Sequence, residues 1–215
     1  MNTKLTHNSS LRRQAARGLT LIEMIGVLAV IAILAALLIP KVFSAIAQAR
    51  VNGVTVSLET VKTAVVDHYG KYGNLATINT NGGVFTIPVT TTSLGYDTNV
   101  LMAEQLLDKP FVAAVATNAT IQICATAHDN NNAGYALDGG LVSTTGSAQY
   151  IVEAVLQGVS AQDAKDLNDR IDGINLGIPV GAPVGSTADV KGRVQYANPS
   201  TTGGSTTVYI YLTSR

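Results

Sequence analysis

From Leu19 to Ile39 the chain runs through 21 residues, LTLIEMIGVLAVIAILAALLI, with one charge, Glu23, and one hydroxyl, Thr20. Apolar residues occupy every face of the implied helix, so no stripe is left for water. At about 1.5 Å per residue the run spans roughly 30 Å, the thickness of a bilayer's hydrocarbon core. A membrane helix is the favoured reading over a buried helix of a soluble protein. Beyond Pro40 the pattern changes. Val51, Val54, Leu58, Val61, Val65, His68 and Tyr72 recur at steps of three and four, while Lys41, Gln48, Arg50, Asn52, Glu59 and Lys62 take the other faces. That is an amphipathic helix over 41–72, continuing the apolar one. Pro40 is expected to kink the helix or open a turn, because it cannot donate to residue 36 and its ring crowds that carbonyl.

After Gly70, Gly73 and Asn74 the pattern becomes one of short runs and turns. Val84–Thr91 reads as a strand, with Pro88 confining it to an edge or a bulge. Asn99–Lys109 reads as a short helix stopped by Pro110. Phe111–Thr117 and Thr120–Ala127 alternate and are expected to form a hairpin, and Gly134–Leu137 a short strand. Ala148–Gln157 reads as a helix. A second helix starts at Ser160, with Asp163 in capping-box position. Val190–Ala197 and Thr206–Thr213 alternate around a polar Asn/Pro/Gly/Ser tip and predict an antiparallel hairpin with Tyr209 and Tyr211 on one face. The expected fold class is α+β: a long N-terminal helix, membrane half plus amphipathic half, packed on a mainly antiparallel β-sheet head. The expected division is a basic leader over 1–18, a membrane helix over 19–40, its amphipathic continuation over 41–72 and a β-rich head over 73–215.

Composition sharpens this picture in two places. The formal charge is zero, from 14 basic and 14 acidic residues in 215, so no basic excess points to nucleic acid. Lys4, Arg12, Arg13 and Arg17 all precede the apolar run, and no acid does, so the remainder carries 10 basic against 14 acidic residues, a net of −4. A basic flank stays cytoplasmic, which places the leader inside and the head outside. Cys124 is the only cysteine. It excludes an internal disulfide and is read as a buried small apolar residue.

The chemistry-bearing residues are few. Asp67-His68 invites a catalytic pair, but at helical spacing a histidine at the edge of the apolar stripe is the plainer reading. Asp129, Asn130 and Asn132 offer the hard oxygens that calcium takes. No glutamate follows at the spacing of a calcium loop, and an ordinary Asn-rich turn is preferred. Asp163, Asp166, Asp169 and Asp172 recur every third residue and are read as a solvated acidic helix face rather than a cation groove. There is no phosphate-cradling glycine loop, nucleophile elbow or clustered Cys/His set. Nothing argues for catalysis, and no cofactor is implied.

Glu23 is the informative residue. A carboxylate within a membrane helix costs about 3 kcal/mol even on lenient scales, so it usually has a partner or a task. Its position near the interface also allows it simply to reach water. A cut between Gly18 and Leu19 would leave the new amine one helical turn from Glu23, and in an array of parallel helices one copy's Glu23 would neutralise its neighbour's Leu19 amine. The stretch Gly18-Leu19-Thr20-Leu21-Ile22-Glu23, behind Arg12, Arg13 and Arg17, resembles the processing and methylation site of type IV prepilins and type II secretion pseudopilins. That resemblance implies cleavage after Gly18 by a prepilin peptidase, N-methylation of Leu19, a role for Glu23 in filament assembly, and identical subunits as partners alongside an inner-membrane platform and an ATPase. It implies an inner-membrane precursor and then a surface pilus. The first mature residue in the family is most often Phe, so Leu19 is a minority choice. Gly158–Leu167 also resembles a helix start in the larger, type IVb pilins, where the residue matching Ala164 is commonly a disulfide cysteine that this chain lacks. A type II secretion pseudopilin, a minor pilin, and a membrane-anchored binding protein or enzyme that uses only the anchor stand as alternatives.

Overall fold

A computed structural model describes residues 20–80, 83–86, 92–124, 135–137, 140–142, 150–174, 192–197 and 204–214. Helix α1 covers Leu21–Tyr72 and includes Pro40 without interruption. The chain divides into two compact units between Ser44 and Ala45. In the first, the helical residues are exposed on all faces apart from half-buried Ala35. In the second, α1 buries Val51, Val54, Leu58, Val61, Ala64, Val65 and His68, the expected stripe with Ala64 added and Tyr72 half-buried at its end.

The second unit is built on a five-stranded antiparallel sheet in the order β3-β4-β7-β9-β8. Its strands are β3 (Thr92–Leu94), β4 (Asn118–Cys124), β7 (Ile151–Ser160), β8 (Val194–Tyr196) and β9 (Ser205–Ser214). Two small hairpins accompany it. One pairs β1 (Thr77–Thr80) with β2 (Gly83–Thr86), and the other pairs β5 (Tyr135–Leu137) with β6 (Gly140–Val142). Helix α2 (Ala161–Ile171) directly follows β7. Its N-cap is Ser160, whose Oγ accepts a hydrogen bond from the Asp163 amide at 3.1 Å, as the sequence predicts.

Three of the expected secondary-structure elements are corrected. Ala148–Gln157 does not contain a helix; Ile151–Ser160 is the strand β7, flanked by β4 and β9. Residues Ile151–Leu156 are all buried. A strand covered on both faces has no alternation to display, so its apolar run imitates a buried helix. Phe111–Thr117 is not half of a hairpin. Its alternation is real as burial, with Phe111, Ala113 and Val115 inside and Val112 and Ala114 outside, but the segment joins no ladder. β4 pairs instead with β3 and β7. Asn99–Lys109 is not a regular helix. A single wide turn spans Asp97–Leu101, with the Met102 amide donating to the Asp97 carbonyl and the Leu106 amide to that of Leu101. Gln105 then takes φ 59°, a left-handed conformation that an α-helix does not continue through. The Asp97 carboxylate, itself buried, accepts the Phe111 amide at 2.8 Å and holds this loop closed. The hairpin of β8 and β9 forms as expected, with Val194 opposite Ile210, although β8 is shorter than its apolar run. The strand reading of Val84–Thr91 is met by β2 as far as Thr86; the remainder lies outside the described residues.

Successive residues along a strand point to opposite faces, and the register makes the two faces of this sheet unlike. Ile121, Ile123, Val152, Ala154, Leu156, Val208 and Ile210 join the α1 stripe in one apolar core. Their neighbours Gln122, Cys124, Glu153 and Tyr211 turn the other way. Glu153 is 0 % exposed. Its carboxylate accepts Gln122 Nε2 at 2.5 Å, Cys124 Sγ at 3.2 Å and the Tyr135 hydroxyl. A buried charge is tolerable only when hydrogen-bonded in this way. Cys124 is therefore buried as expected, but as a donor to a carboxylate rather than as an apolar filler. Gly158 sits at φ 72° with the Thr117 side chain where a Cβ would be, so β7 and the entry to β4 meet closely there.

Two predictions follow from the buried polar face. Tyr135→Phe removes a donor from Glu153 and is expected to destabilise the folded chain by about 1–3 kcal/mol, read from thermal melts in detergent. Burial first, and then the charge of Glu153, push the Tyr209 phenol above the usual tyrosine range. Below about pH 10 both folded and unfolded chains hold that proton, and stability is unaffected. As pH rises past this point the unfolded phenol ionises first, so stability falls. Melts above and below that pH are expected to show a shallower fall in Tyr209→Phe.

Candidate functional site

The candidate assembly site starts at the first residue of α1. Thr20 precedes the helix, and its carbonyl accepts the Met24 amide at 3.2 Å, the first intrahelical bond. The Glu23 carboxylate accepts the Thr20 amide at 2.7 Å and the Thr20 hydroxyl at 2.8 Å, while the Glu23 amide donates to Thr20 Oγ1 at 3.3 Å. This reciprocal arrangement is a capping box, which satisfies donors that a helix start otherwise leaves orphaned. The signal for the box is the Thr-Leu-Ile-Glu spacing, which neither the reading of Glu23 as a neighbour's partner nor that of a carboxylate reaching water takes into account. The box gives Glu23 a task in its own helix: its charge sits at the positive end of the helix dipole. Gly18 and Leu19 lie outside the described residues.

Downstream of Glu23 the same helix presents Met24, Ile25, Val27, Leu28, Val30, Ile31, Ile33, Leu34, Leu37, Leu38 and Ile39 to the outside. This stretch is long and apolar enough to cross a membrane, and none of the window is buried within the protein. Soluble monomers rarely expose apolar surface on this scale, so it requires lipid or other chains as cover.

The other residues singled out from the sequence take structural places. His68 is not at the edge of the stripe but fully buried. Its Nδ1 lies 2.8 Å from Glu104 Oε2, its ring meets Tyr96 edge-on, and Tyr72 packs beside it. Asp67 points to solvent and does not join it. The four spaced aspartates do not form one solvated face. Asp166 accepts Gln162 Nε2 at 2.7 Å, and Asp169 pairs with Lys165. Asp172, at the end of α2, has a nearly covered carboxylate that accepts the backbone amides of Arg193 at 2.9 Å and Val194 at 2.8 Å. It clamps α2 to β8, with Gly192 at φ 77° packed against its carboxylate. Asp129, Asn130 and Asn132 lie outside the described residues, and among the described residues no cluster of His, Cys, Asp or Glu is arranged to hold a metal. The buried Glu153 set escaped the sequence reading. Its signal is a glutamate inside the apolar run IVEAVL, which marks a buried and partnered carboxylate.

The capping box is testable without assembly. Thr20→Val keeps shape and loses both hydroxyl contacts. It is expected to cost the helix start about 1 kcal/mol, or roughly fivefold faster amide exchange over the first turn in detergent micelles, with Thr20→Ser close to the parent chain.

Residues 13–39 match the family model described as the prokaryotic N-terminal methylation motif. Neither the curated proteins nor the solved structures contain a match to the chain. The motif covers the basic approach, the Gly18–Leu19 junction, the capping box and nearly all of the exposed apolar helix. It implies processing by a prepilin peptidase and a membrane-anchored precursor. Residues 13–39 thus carry the N-terminal methylation motif, and this motif with the apolar helix that bears it supports a type IV pilin-like or pseudopilin-like protein.

Proposed function

We propose that the chain is the structural subunit of a type IV pilus filament. The observation that carries this reading is the pairing of an exposed apolar helix with a single carboxylate, Glu23, at its start, inside the methylation motif. In this reading residues 1–18 are removed by cleavage after Gly18, Leu19 is N-methylated, and residues 19–40 hold the precursor in the inner membrane. Residues 41–72 carry the helix into the head, which extends to residue 215. Platform and ATPase machinery then lift the subunit out, and the apolar helices exchange lipid for one another. The gain is modest per unit area, because lipid already shields these side chains, so helix packing and polar contacts decide register. Glu23 supplies such a contact. Its capping box keeps the carboxylate at the helix start, where a neighbouring Leu19 amine meets it in a staggered parallel array. Pro40 gives the helix a place to bend where the membrane half passes into the amphipathic half. The role is structural rather than catalytic, and no cofactor takes part.

Mass spectrometry on filaments sheared from cells tests the proposal. An abundant N-terminal peptide beginning at methylated Leu19 is the expected result. Mature protein confined to the membrane fraction would assign the chain to a pseudopilin or a minor subunit instead. Glu23→Ala is expected to be cleaved normally but to lower filament yield at least tenfold, as an unneutralised amine in an apolar bundle costs several kcal/mol. Gly18→Val is expected to leave only precursor-sized protein on a gel.

A further inference from the structure

The exposed apolar surface of α1 is longer than a membrane requires. Large apolar side chains stand exposed from Leu21 through Ile46. At about 1.5 Å per residue this stretch is about 39 Å long, against roughly 30 Å of hydrocarbon. An upright helix would lift its last apolar turn into the headgroup layer, where water reaches it. A tilted helix shortens its span and keeps that turn in lipid.

The last turn is also one-sided. At about 100° per residue, Val42, Phe43 and Ile46 fall within an arc of about 100°, on the line that Ile39 begins. Val42 is 53 %, Phe43 68 % and Ile46 44 % exposed. Lys41, Ser44 and Ala45 are exposed on the other side. A helix leaving the bilayer upright meets the same surroundings on every side and gains nothing from this division. A tilted one has a lower side against acyl chains and an upper side toward water, and the division matches that difference.

Charge points the same way. Between Glu23 and Glu59 the only charged residues are Lys41 and Arg50. Arg50 is exposed and follows Ile46 by about one turn on the apolar line. Side chains on a helix lean toward its N-terminus, so a long side chain at Arg50 reaches back toward the bilayer. An apolar partner would cover the stripe without giving Arg50 an anion, whereas a surface of phosphate-bearing lipid does both.

We propose that α1 leaves the bilayer obliquely, with Val42, Phe43 and Ile46 against the acyl chains of the leaflet it emerges from, Lys41 and Ser44 turned to water, and Arg50 on the lipid phosphates. The partner of this face is the lipid surface. The inference rests on the membrane-anchored precursor of the filament reading and is independent of filament growth.

The chain contains no tryptophan, so single tryptophans at four successive positions report the surroundings of α1. Phe43→Trp, Ser44→Trp, Ala45→Trp and Ile46→Trp differ in depth by no more than about 4.5 Å, yet they face different sides. The full chain is reconstituted into vesicles of phosphatidylethanolamine and phosphatidylglycerol. Fluorescence is then quenched either by lipids brominated near the headgroup end of the acyl chains or by acrylamide in the water. Lipid quenching is expected to be several-fold stronger at Phe43→Trp and Ile46→Trp than at the two positions between them, with acrylamide giving the reverse order. A steady decline in lipid quenching from the first position to the fourth means an upright exit and overturns the proposal. Strong acrylamide quenching at all four does the same. Shielding of Phe43→Trp and Ile46→Trp that brominated lipid does not quench, and that is lost on dilution into excess lipid, assigns the face to a second copy and also overturns it. Failure of the unaltered chain to float with the vesicles overturns the anchored precursor, and this inference with it, whereas absence of filaments from cells leaves the oblique exit standing.

Discussion

The head depends on a strand that never meets water on either face along most of its length. β7 lies between β4 and β9 and is buried from Ile151 through Leu156. One face, through Val152, Ala154 and Leu156, meets the apolar stripe of α1 and supplies the hydrophobic term that holds helix to sheet. The other presents Glu153 to Gln122, Cys124 and Tyr135. The two faces act differently. The apolar face tolerates small shifts at modest cost, whereas the carboxylate requires its donors in place and so discriminates against a slipped register. A slip of one residue between β7 and β4 would turn Glu153 into the apolar core and place Val152 or Ala154 among the polar groups.

Two glutamates within apolar sequence, Glu23 and Glu153, are accommodated by different means. Glu153 is enclosed and held by side-chain donors drawn from distant parts of the chain. Glu23 is exposed and held by its own helix start, through the amide and hydroxyl of Thr20. The first arrangement exists only when the head is folded. The second needs nothing beyond one turn of helix, and it is available while the chain is still alone in the bilayer. Under the filament proposal, Glu23 would wait in the membrane before meeting a partner, and a local contact of this kind would serve it there.

How much could be read from the sequence varied with the range of the interaction. The apolar helix, the amphipathic stripe, the Ser160 cap and the β8–β9 hairpin were legible because each is set by spacing over a few residues. β7 was misread because burial on both faces erases the alternation that marks a strand. Phe111–Thr117 was misread for the opposite reason, since it alternates in burial without pairing. Asp172 and His68 look like a solvated residue and an edge residue in the sequence because their partners, the amides of Arg193 and Val194 and the carboxylate of Glu104, lie 21 or more positions away. At the candidate site, Glu23 was legible by position, and its bond to Thr20 was also there to be seen in the Thr-x-x-Glu spacing.

The placement of β7 at the centre of the sheet also governs the order in which the head can be completed. Its partner β9 comes late in the chain, with Ser160 opposite Ser205 and Ile151 opposite Ser214. Until β9 has been synthesised, β7 has a free hydrogen-bonding edge, and the apolar face of the sheet is only partly built. Such an edge is a template for unwanted pairing between nascent chains. The apolar run of α1, by contrast, emerges first and can engage the bilayer well before the sheet closes. Tethering at the membrane during that interval would fix each unfinished head at the bilayer surface, a service to folding that is separate from any part the anchor takes under the filament proposal.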